Sequence, residues 1–447
     1  MENVLLIGSG GREHAIAKAL VKDQNIHLYA AISFKNPGII RLAQSFVSTE
    51  SDSNSIVNFA KEKNIDYCVV GPEKPLEDGI VDKLCLSGFQ CASPSQAAAK
   101  IETDKAFMRD LLDRHNIPGQ ISHLVTSSLD DAKTFCKKLD WKVVIKPIGL
   151  TSGKGVKVWG DHFQSSKEVQ NYIEEILSKG LSGHHKVVIE ELLEGQEFTI
   201  QFFTDGINMI PSPAVQDHKR VYDDDLGPNT GGMGAYTDNN GILPFLLKDE
   251  YDFACNIAHK VIDALHKEGT SYKGGLYGQF MLTSDGIKVI EFNARFGDPE
   301  AINIFSLLQS NFSAICRAII QSNLTQDIVQ FSPLASVVRY ITPIGYGVCP
   351  EDNKQVSIDE EGISQTDSSL IFSSCNLIND QDYRNTIIST SRSRILAICA
   401  LGQDITTAQK ITDEALRYIK GEVYYRKDIA TPQLIDKRVQ SMKNLRK

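Results

Sequence analysis

The sequence lacks the features that mark membrane, secreted and cysteine–metal proteins. No apolar run approaches the roughly 20 residues that cross a bilayer, and the start of the chain becomes glycine-rich too soon for a signal peptide. None of its nine cysteines belongs to a Cys-x-x-Cys pair, and several stand within apolar runs. This pattern favours reduced core thiols over a zinc site or a disulfide framework. We therefore expect a cytoplasmic protein without a membrane partner.

The chain also lacks an excess of positive charge. Its formal net charge is -9, which argues against a nucleic-acid partner but leaves room for a local basic site that binds phosphates. Neither a fixed-period repeat nor a low-complexity tract is present. With 447 residues the chain is too long for one hydrophobic core, so several domains are expected.

The first glycine-rich turn predicts an anion site rather than a nicotinamide site. Residues 3–7 read as a buried strand, and GSGGREH at 8–14 leads into a helix that ends near residue 22. Such a turn leaves backbone N–H groups free at a helix N-terminus. The dinucleotide fingerprint fails, because Glu13 occupies the place of its third glycine. Arg12 is therefore expected to hold a sugar phosphate, and the alternative is a salt bridge on the first helical turn.

A second strand and loop follow the same pattern. Residues 65–70 are predicted as a strand that ends in GPEKP at 71–75. Open parallel sheets bind ligands beyond the carboxyl ends of their strands, so Glu73 is expected to reach the ligand of the first turn. The alternative is an ordinary turn residue. This α/β unit is expected to close near residue 100.

Two lysines mark the next predicted strand and its loop. Residues 141–147 form the strand and place Lys146 near its end, and GLTSGKG at 149–155 adds Lys154. Glycines let a backbone close over phosphates while lysines offset the phosphate charge. No Gly-Lys-Ser/Thr opens a helix here, so the segment is not a Walker loop. A plain surface turn is the alternative.

Two further connections are candidates for ligand contacts. LLEGQE at 192–197 joins two predicted strands, and could meet an adenine edge through its backbone and a ribose through a carboxylate. A connecting hairpin with a solvated face is the alternative. QDHKRVYDDDLGPNTGGMGAY at 216–236 is polar, glycine-rich and too long for a simple turn. Loops of this length are usually functional or disordered, and the mixture of charges favours a mobile substrate lid over a linker.

The segment KVIEFNARFGDPE at 288–300 predicts a metal and phosphate site. Alternate side chains of a strand share a face, so Glu291 and Asn293 point one way while their apolar neighbours enter a core. Mg²⁺ prefers oxygen ligands, usually one or two protein carboxylates with water and substrate phosphates. Arg295 follows and offers a planar fork to a phosphoryl group. The alternative is a hairpin whose polar face meets water.

Whether Gln279 joins this face depends on the turn before the strand. A three-residue loop at 284–286, with Gly286 in the left-handed region, places Gln279 opposite Glu291. A two-residue Asp-Gly turn instead pairs Phe280 with Glu291 and points Gln279 away.

Beyond this hairpin, residues 301–321 are predicted as one helix. The last hundred or so residues are predicted as a small α/β domain without an active site of its own.

Nine segments, taken in order, resemble the glycinamide ribonucleotide synthetase family of the ATP-grasp superfamily. They are GSGGREHA, VVGPEKPL, TDKAF, VIKPIGLTSGKGV, VIEELLEGQEF, QDHKR, GPNTGGMGAY, VIEFNARFGDPE and RKDI. Each is weak alone, but their order over essentially the full chain is highly specific. The resemblance implies an α/β ATP-grasp fold with three parts: an N-terminal Rossmann-like pre-ATP-grasp domain (1–101), an ATP-grasp domain (102–328, lid subdomain about 122–195) and a small C-terminal α/β domain (329–447).

The resemblance also implies a reaction. Family members join glycine to 5-phosphoribosylamine with ATP and Mg²⁺ or Mn²⁺. The reaction passes through a glycyl phosphate and yields glycinamide ribonucleotide, ADP and phosphate in purine biosynthesis. The implied partners are these small molecules, with no nucleic acid and no membrane. A monomer or a weak homodimer is expected.

The expected site residues fall into four groups. The ATP group comprises Lys105, Lys146, Gly153, Lys154, Gly155, Glu190, Glu191, Leu193 and Glu197. The metal group comprises Glu291 and Asn293, to which the three-residue turn adds Gln279. The substrate group comprises Gly10, Gly11, Arg12, Glu13, Glu73, Asp217, Lys219, Asn229, Thr230, Gly231 and Asp298. Arg295 and Lys146 are the implied catalytic residues.

Some positions depart from the family pattern, namely Pro147-Ile148, Ile302 and the segment 390–394. Two other functions are alternatives to that of the family. A sister ATP-grasp ligase of purine synthesis would use bicarbonate, but the DHKR and GPNTGGMGAY segments argue against it. A nucleotide-binding module without ligase activity is disfavoured by the retained metal and catalytic residues.

Overall fold

The computed structural model describes residues 1–149, 155–379 and 384–447. The N-terminal strands are β1 (Glu2–Ile7), β2 (Ile26–Ala31), β3 (Ser45–Val47), β4 (Tyr67–Val70) and β5 (Gln90–Cys91). The helices are α1 (Gly11–Val21), α2 (Pro37–Leu42), α3 (Ser53–Glu62), α4 (Glu73–Glu77), α5 (Ile80–Leu86), α6 (Gln96–Thr103) and α7 (Lys105–Arg114). No helix of the described residues is long and apolar enough to cross a membrane.

These N-terminal strands form one parallel sheet in the order β3-β2-β1-β4-β5. In β1, Val4 and Leu6 face one hydrophobic core while Leu5 and Ile7 face another. A parallel sheet that is covered on both faces is built from continuous apolar strands, which is the pattern of β1. The expected Rossmann-like N-terminal part is confirmed.

A second sheet, with its own core, holds Lys146. It contains β6 (His123–Thr126), β7 (Val143–Pro147), β8 (Lys157–Val158) and β9 (Val187–Glu191), in the order β6-β9-β7-β8. Helices α8 (Leu129–Lys138) and α9 (Ser166–Lys179) pack on it. Val143 and Ile145 of β7 point into this core, whereas Lys146 alternates to the other face.

The central part of the chain carries the predicted metal strand. Its elements are β10 (Gln196–Thr204), β11 (Met209–Pro211), β12 (Gln216–Asp217), β13 (Arg220–Tyr222), β14 (Leu226–Asn229), β15 (Gly234–Thr237), α10 (Lys248–Lys267), β16 (Gly274–Thr283), β17 (Gly286–Asn293), α11 (Glu300–Leu307) and α12 (Phe312–Gln321). An antiparallel sheet runs in the order β11-β10-β16-β17. The single helix expected at 301–321 is wrong, because the chain breaks after Leu307 and Asn311 caps α12 by accepting from the Ser313 N–H.

The C-terminal part comprises β18 (Ala335–Pro343), β19 (Gln355–Ile358), α13 (Glu360–Ser364), β20 (Ser368–Phe372), β21 (Cys375–Asn379), β22 (Thr386–Thr390), β23 (Leu396–Gly402), α14 (Ile405–Ala415), β24 (Ile419–Lys420), β25 (Val423–Tyr424) and α15 (Pro432–Leu445). Four of its strands, β18, β20, β23 and β25, share a sheet with β12 and β15. Strands β19, β21, β22 and β24 form a separate sheet.

The polar segment 216–236 is not a long loop. It forms strands β12 to β15, and β15 pairs with β18 from Gly234↔Arg339 to Thr237↔Ser336. The predicted loop is therefore corrected to strands that enter the sheet of the C-terminal part. The division of the chain at 1–101, 102–328 and 329–447 stays a prediction.

Candidate active site

The end of β17 gathers three lysines around one carboxylate. Asn293 Nδ2 donates to Glu291 Oε1 over 3.2 Å, so the two side chains lie on one face, as predicted. Burial raises the pKa of Glu291. The positive charges of Lys146, Lys219 and Lys105 outweigh this effect and hold that pKa below its usual value. The Glu291 carboxylate is therefore ionised, lies in positively charged surroundings, and can offer oxygen atoms as metal ligands.

Lys146 is fixed by a buried ion-pair network. Its Nζ lies 2.5 Å from Glu190 Oε2, and Arg109 Nε donates to Glu190 Oε1 over 2.9 Å. These side chains are at most 6% exposed. Burial raises the pKa of Glu190, but Arg109 and Lys146 outweigh it and hold that pKa at about 2. Through this contact Glu190 orients Lys146.

The hairpin before β17 pairs Gln279 with Glu291, but its turn is neither the three-residue loop at 284–286 nor the two-residue Asp-Gly turn. The strands close at Thr283↔Gly286, so only two residues lie in the turn. The pairing continues to Phe280↔Val289, and a β-bulge then shifts the register by one residue. Gln279 consequently lies opposite Glu291. The predicted pairing is confirmed, and the predicted three-residue turn is wrong.

Gln279 directs its amide nitrogen to a neighbouring carboxylate. Its Nε2 donates to Glu197 Oε2 over 2.8 Å, and Lys219 Nζ lies 3.0 Å from the same oxygen. Burial lowers the pKa of Lys219, but the charges of Glu197 and Asp217 outweigh it and raise that pKa. Lys219 is therefore a fixed cation between the expected ribose carboxylate and the metal strand.

Arg295 is held by two carboxylates. Its Nε lies 3.2 Å from Glu73 Oε2, and its Nη2 lies 3.0 Å from Glu102 Oε1. Burial raises the pKa of Glu102 to about 7, although Arg295 opposes this. Burial also raises the pKa of Glu73, but Arg295 and Arg12 outweigh it and hold that pKa at about 2. The guanidinium thus joins the start of α4 and the end of α6 to the end of β17.

The glycine-rich turn before α1 closes on its own side chains. Glu13 Oε2 accepts from the Gly10 N–H over 2.7 Å, and Arg12 Nε lies 2.5 Å from Glu13 Oε1. This is the salt bridge that was the alternative for Arg12. A Cβ at Gly71 would lie 2.1 Å from Glu13 Oε1, so the next loop needs a glycine there. Gly11 packs below Tyr340, whose hydroxyl would lie 2.1 Å from an added Cβ.

The loop after β17 is anchored by the C-terminal part. Asp298 Oδ1 accepts from the Tyr340 hydroxyl over 2.6 Å, and Arg394 Nη2 donates to Asp298 Oδ2 over 3.1 Å. Arg394 also donates to the carbonyl of Gly232 over 3.2 Å and to that of Gly231. Its guanidinium carbon lies 4.4 Å from the centre of the Tyr340 ring. Arg394 therefore ties the GPNTGG segment to the end of the metal strand.

Asp217 lies beside this anchor, among the charges of Glu300, Lys219 and Arg394. Burial and the charge of Glu300 raise the pKa of Asp217, while Lys219 and Arg394 oppose the rise. Thr230 donates its backbone N–H to the carbonyl of Lys219 over 2.7 Å and so fixes the lysine's backbone.

The remaining expected residues take up several positions around this cluster. Lys105 Nζ donates to the Gly149 carbonyl over 2.6 Å, the Gly155 carbonyl accepts from Tyr172, and Glu191 Oε1 accepts from the Ser122 N–H over 2.8 Å. Leu193 lies in the connection from β9 to β10, and Asn229 is exposed at the end of β14. Gly153 and Lys154 lie outside the described residues.

Comparison with known proteins identifies the family. Family models described as "Phosphoribosylglycinamide synthetase, N domain" and "Phosphoribosylglycinamide synthetase, ATP-grasp (A) domain" match residues 2–102 and 103–301. The chain is 45% identical over 442 residues to a phosphoribosylamine–glycine ligase of Methanobrevibacter smithii, with 99% of both chains covered. The chain belongs to the phosphoribosylglycinamide synthetase family. A phosphoribosylamine–glycine ligase of Pyrococcus furiosus is 42% identical over 447 residues, covering 100% of this chain and 98% of the relative.

Solved structures show the same fold beyond this family. A phosphoribosylamine–glycine ligase from Thermotoga maritima superposes with a TM-score of 0.79 at 24% identity, over 95% of this chain and 99% of that one. A biotin carboxylase from Campylobacter jejuni superposes with a TM-score of 0.76 at 15% identity, over 99% and 98% of the two chains. At these identities the superpositions show the fold alone, which is the predicted ATP-grasp fold.

Sequence reasoning missed four side chains that shape this synthetase-family site: Arg109, Glu102, Tyr340 and Arg394. Among these four, only Arg394 lies in a segment that the sequence singles out, because residues 390–394 depart from the family pattern. The other three lie in ordinary helix or strand patterns. Their roles follow from contacts between distant parts of the chain, for which a single sequence carries no local signal.

Proposed function

We propose that this protein joins glycine to 5-phosphoribosylamine with ATP, giving glycinamide ribonucleotide, ADP and phosphate. The observation that carries the proposal is the convergence of Lys105, Lys146 and Lys219 on Glu291, in a chain of the phosphoribosylglycinamide synthetase family. Lys105 and Lys146, beside one ionised carboxylate and an amide, suit a triphosphate with a divalent metal, and Lys219 suits the carboxylate of glycine.

The proposed chemistry needs alignment and charge neutralisation more than proton transfer. A carboxylate oxygen of glycine attacks the γ-phosphorus of ATP, and ADP leaves with the electrons of the broken P–O bond. The amine of phosphoribosylamine then attacks the carbonyl carbon of the glycyl phosphate, the C–O bond to phosphate breaks, and the proton lost by the nitrogen leaves as part of hydrogen phosphate. Because the glycine carboxylate is already a nucleophile, no serine–histidine–acid set is required.

Lysines are suited to the phosphate part of this chemistry. Lys146 is held by Glu190 on one side, and Lys105 is held at its Nζ by the Gly149 carbonyl, beside the expected phosphate loop. Both are fixed before a ligand binds, so the charge that develops on the transferring phosphoryl group meets cations that need little reorganisation. We assign Lys146 to that group, with Arg295 as the second proposed catalytic residue, and Lys105 to the ATP phosphates.

The donor set fits Mg²⁺ or Mn²⁺. Glu291 supplies an ionised carboxylate and Asn293 an amide oxygen, and no group of three or more His, Cys, Asp or Glu ligands occurs among the described residues. Such a partial shell suits Mg²⁺, which is usually completed by water and substrate phosphates. A metal held by these residues would neutralise part of the charge on the phosphates of ATP. Gln279 stays a proposed third ligand through its amide oxygen, since its nitrogen donates to Glu197.

We assign the remaining contacts by position. The segment from Glu190 to Leu193 is proposed for adenine, and Glu197 for the ribose. The turn Gly10–Glu13, with Glu73, is proposed for phosphoribosylamine. The residues Asp217, Lys219, Asn229, Thr230, Gly231 and Asp298 are proposed for glycine. The three-domain division, a cytoplasmic location and a monomer or weak homodimer complete the proposal.

The test is ADP release by the purified protein. We expect release only when glycine, freshly made phosphoribosylamine and a divalent metal are all present. Equal turnover with bicarbonate in place of glycine would assign the protein to the sister ligases, and ADP binding without turnover under any condition would assign it to the non-catalytic binding modules.

A further inference from the structure

Arg109 is a buried cation that the proposed mechanism does not use. It lies on α7 four positions after Lys105, so the two side chains share one face of the helix. Its side chain is 1% exposed. A charge with so little access to water must be compensated by nearby acceptors, and the identity of these acceptors indicates its role.

Three acceptors converge on this guanidinium from two parts of the molecule. Nε donates to Glu190 Oε1 over 2.9 Å, at the end of β9. Nη1 donates to the carbonyl of Val289 over 3.1 Å, and Nη2 donates to that of Ile290 over 3.0 Å, both on β17. A planar guanidinium satisfies three such acceptors at fixed angles, which a lysine ammonium does not.

The two carbonyls belong to the β-bulge of β17. The register shifts between Phe280↔Val289 and Gln279↔Glu291, so Ile290 is the extra residue. A bulge disrupts the ladder of hydrogen bonds and re-aims the side chains beyond it. Here it sets the face on which Glu291 and Asn293 stand. Arg109 binds the carbonyls of this irregular segment.

The contact with Glu190 affects the charge of the lysine. Glu190 shares its two oxygens between Arg109 and Lys146. Without the guanidinium, this carboxylate would be paired with Lys146 alone and would cancel its charge. With it, the three groups carry one net positive charge, which is available to a phosphate.

We propose that Arg109 is a positioning residue for the metal–nucleotide site. It fixes the position of Lys146 through Glu190, and it fixes the direction of the Glu291 side chain through the bulge of β17. The proposal rests on the proposed function only in taking ATP as the ligand. It does not depend on which acid or amine is ligated.

The test measures MgADP binding by calorimetry in the absence of glycine and phosphoribosylamine. Arg109→Lys keeps the charge but loses the fork, and we expect its affinity for MgADP to fall at least about tenfold. Arg114→Lys is the matched control, because Arg114 lies on the same helix and pairs with Glu268 at the surface. The control should change affinity less than about twofold.

Arg109→Gln removes both the fork that reaches the β17 carbonyls and the charge that balances Glu190. We expect it to lose MgADP affinity and to raise the KM for ATP with little change in the KM for glycine. Folded variants with affinity within twofold of the parent would overturn the proposal, as would failure of both variants to fold, which would assign the contact to folding. Loss of glycine-dependent turnover in the parent protein would instead refute the proposed function and leave this binding result standing.

Discussion

The cations that lower the pKa of Glu291 most are lysines, whereas the cations at the junction of the N-terminal turn with the C-terminal sheet are arginines. Each lysine has one acceptor among the described residues: Gly149 O for Lys105, Glu190 for Lys146 and Glu197 for Lys219. The arginines have two or more: Glu13 and Phe296 O for Arg12, Glu73 and Glu102 for Arg295, and the Asp298 carboxylate with the carbonyls of Gly231, Gly232 and Asp298 for Arg394.

This difference matches the chemistry of the two side chains. An ammonium has three donors, so a lysine with one protein acceptor keeps donors for phosphate oxygens. A guanidinium has five donors in a rigid fork, which suits it to joining several loops at once. We infer that the lysines serve the ligand and that the arginines hold the loops around it. Arg295 does not fit this division. Like the other arginines it is held by more than one acceptor, here two carboxylates, yet it is also a proposed catalytic residue.

The largest expected effect is on the lysine side. Lys146→Ala should lower turnover by about 10²–10³-fold, because a fixed cation is removed from a developing phosphoryl charge. Lys142→Ala is the control, since Lys142 is exposed just before the same strand. Steady-state ADP release checks both variants. Comparable losses in the two would mean that the phosphate site lies elsewhere.

Replacing an arginine of the junction should change different kinetic parameters from those that change when Lys146 is replaced. Arg394→Ala leaves Asp298 without its cation at the substrate junction, so we expect the KM for glycine or phosphoribosylamine to rise at least about tenfold. MgADP affinity should change less than about twofold, because the lysine cluster is intact. Arg392→Ala, two residues away and exposed, is the control. An equal loss of MgADP affinity in Arg394→Ala would contradict the separation of the two regions.

Acid should weaken the lysine network in a defined range. Arg109 and Lys146 lower the pKa of Glu190 to about 2 in the folded protein, against an ordinary value of 4.5, so its ionised form stabilises the fold above pH 4.5. This stabilisation is on the order of 3 kcal/mol and is lost as the pH falls from about 4.5 towards about 2. Urea unfolding of the parent and Glu190→Gln should therefore differ by a constant amount above pH 4.5 and by less below it.

The surface carboxylate Glu268 provides the control for this series. Glu268→Gln removes an exposed pair with Arg114, and the difference from the parent should be small throughout. If the Glu190→Gln difference grew as the pH fell, the direction of its pKa shift would be wrong.

The smallest expected effect concerns Gln279. Gln279→Glu places a second carboxylate beside Glu197, which now receives a hydrogen bond from the amide. Repulsion between like charges should raise the KM for ATP a few-fold, roughly 3- to 10-fold, in a partly screened site. Gln279→Met removes the hydrogen bond without adding charge and separates the two causes. A lower KM in Gln279→Glu, with tighter Mg²⁺ binding, would mean that attraction to the proposed metal outweighs repulsion from Glu197.

The parts of the site that could be predicted from sequence depend on short-range periodicity. Glu291 and Asn293 share a face because side chains alternate along any strand, and Lys146 of β7 faces away from the core of Val143 and Ile145 for the same reason. The N-terminal α/β unit followed from repeated strand–turn–helix patterns. These features need only the residues within a few positions of each other.

The parts that could not be predicted depend on distant contacts. The β-bulge at Ile290 is held by Arg109, which lies 180 positions before Val289, so the turn alone could not give the register. The anchoring of Asp298 by Arg394 joins residues 96 positions apart. The segment 216–236 forms strands because β18 supplies a pairing edge for β15, and its polar, glycine-rich composition suggested a loop.

The central claim is that this lysine site transfers a phosphoryl group to the carboxylate of glycine. Glycine labelled with ¹⁸O in both carboxylate oxygens tests it most directly, by mass spectrometry of the phosphate that is released with ADP and phosphoribosylamine present. One labelled oxygen should pass to each phosphate, because the oxygen that attacks the γ-phosphorus leaves with it when the amine attacks the carbonyl carbon. Phosphate without label, formed at the rate of ADP, would contradict the account.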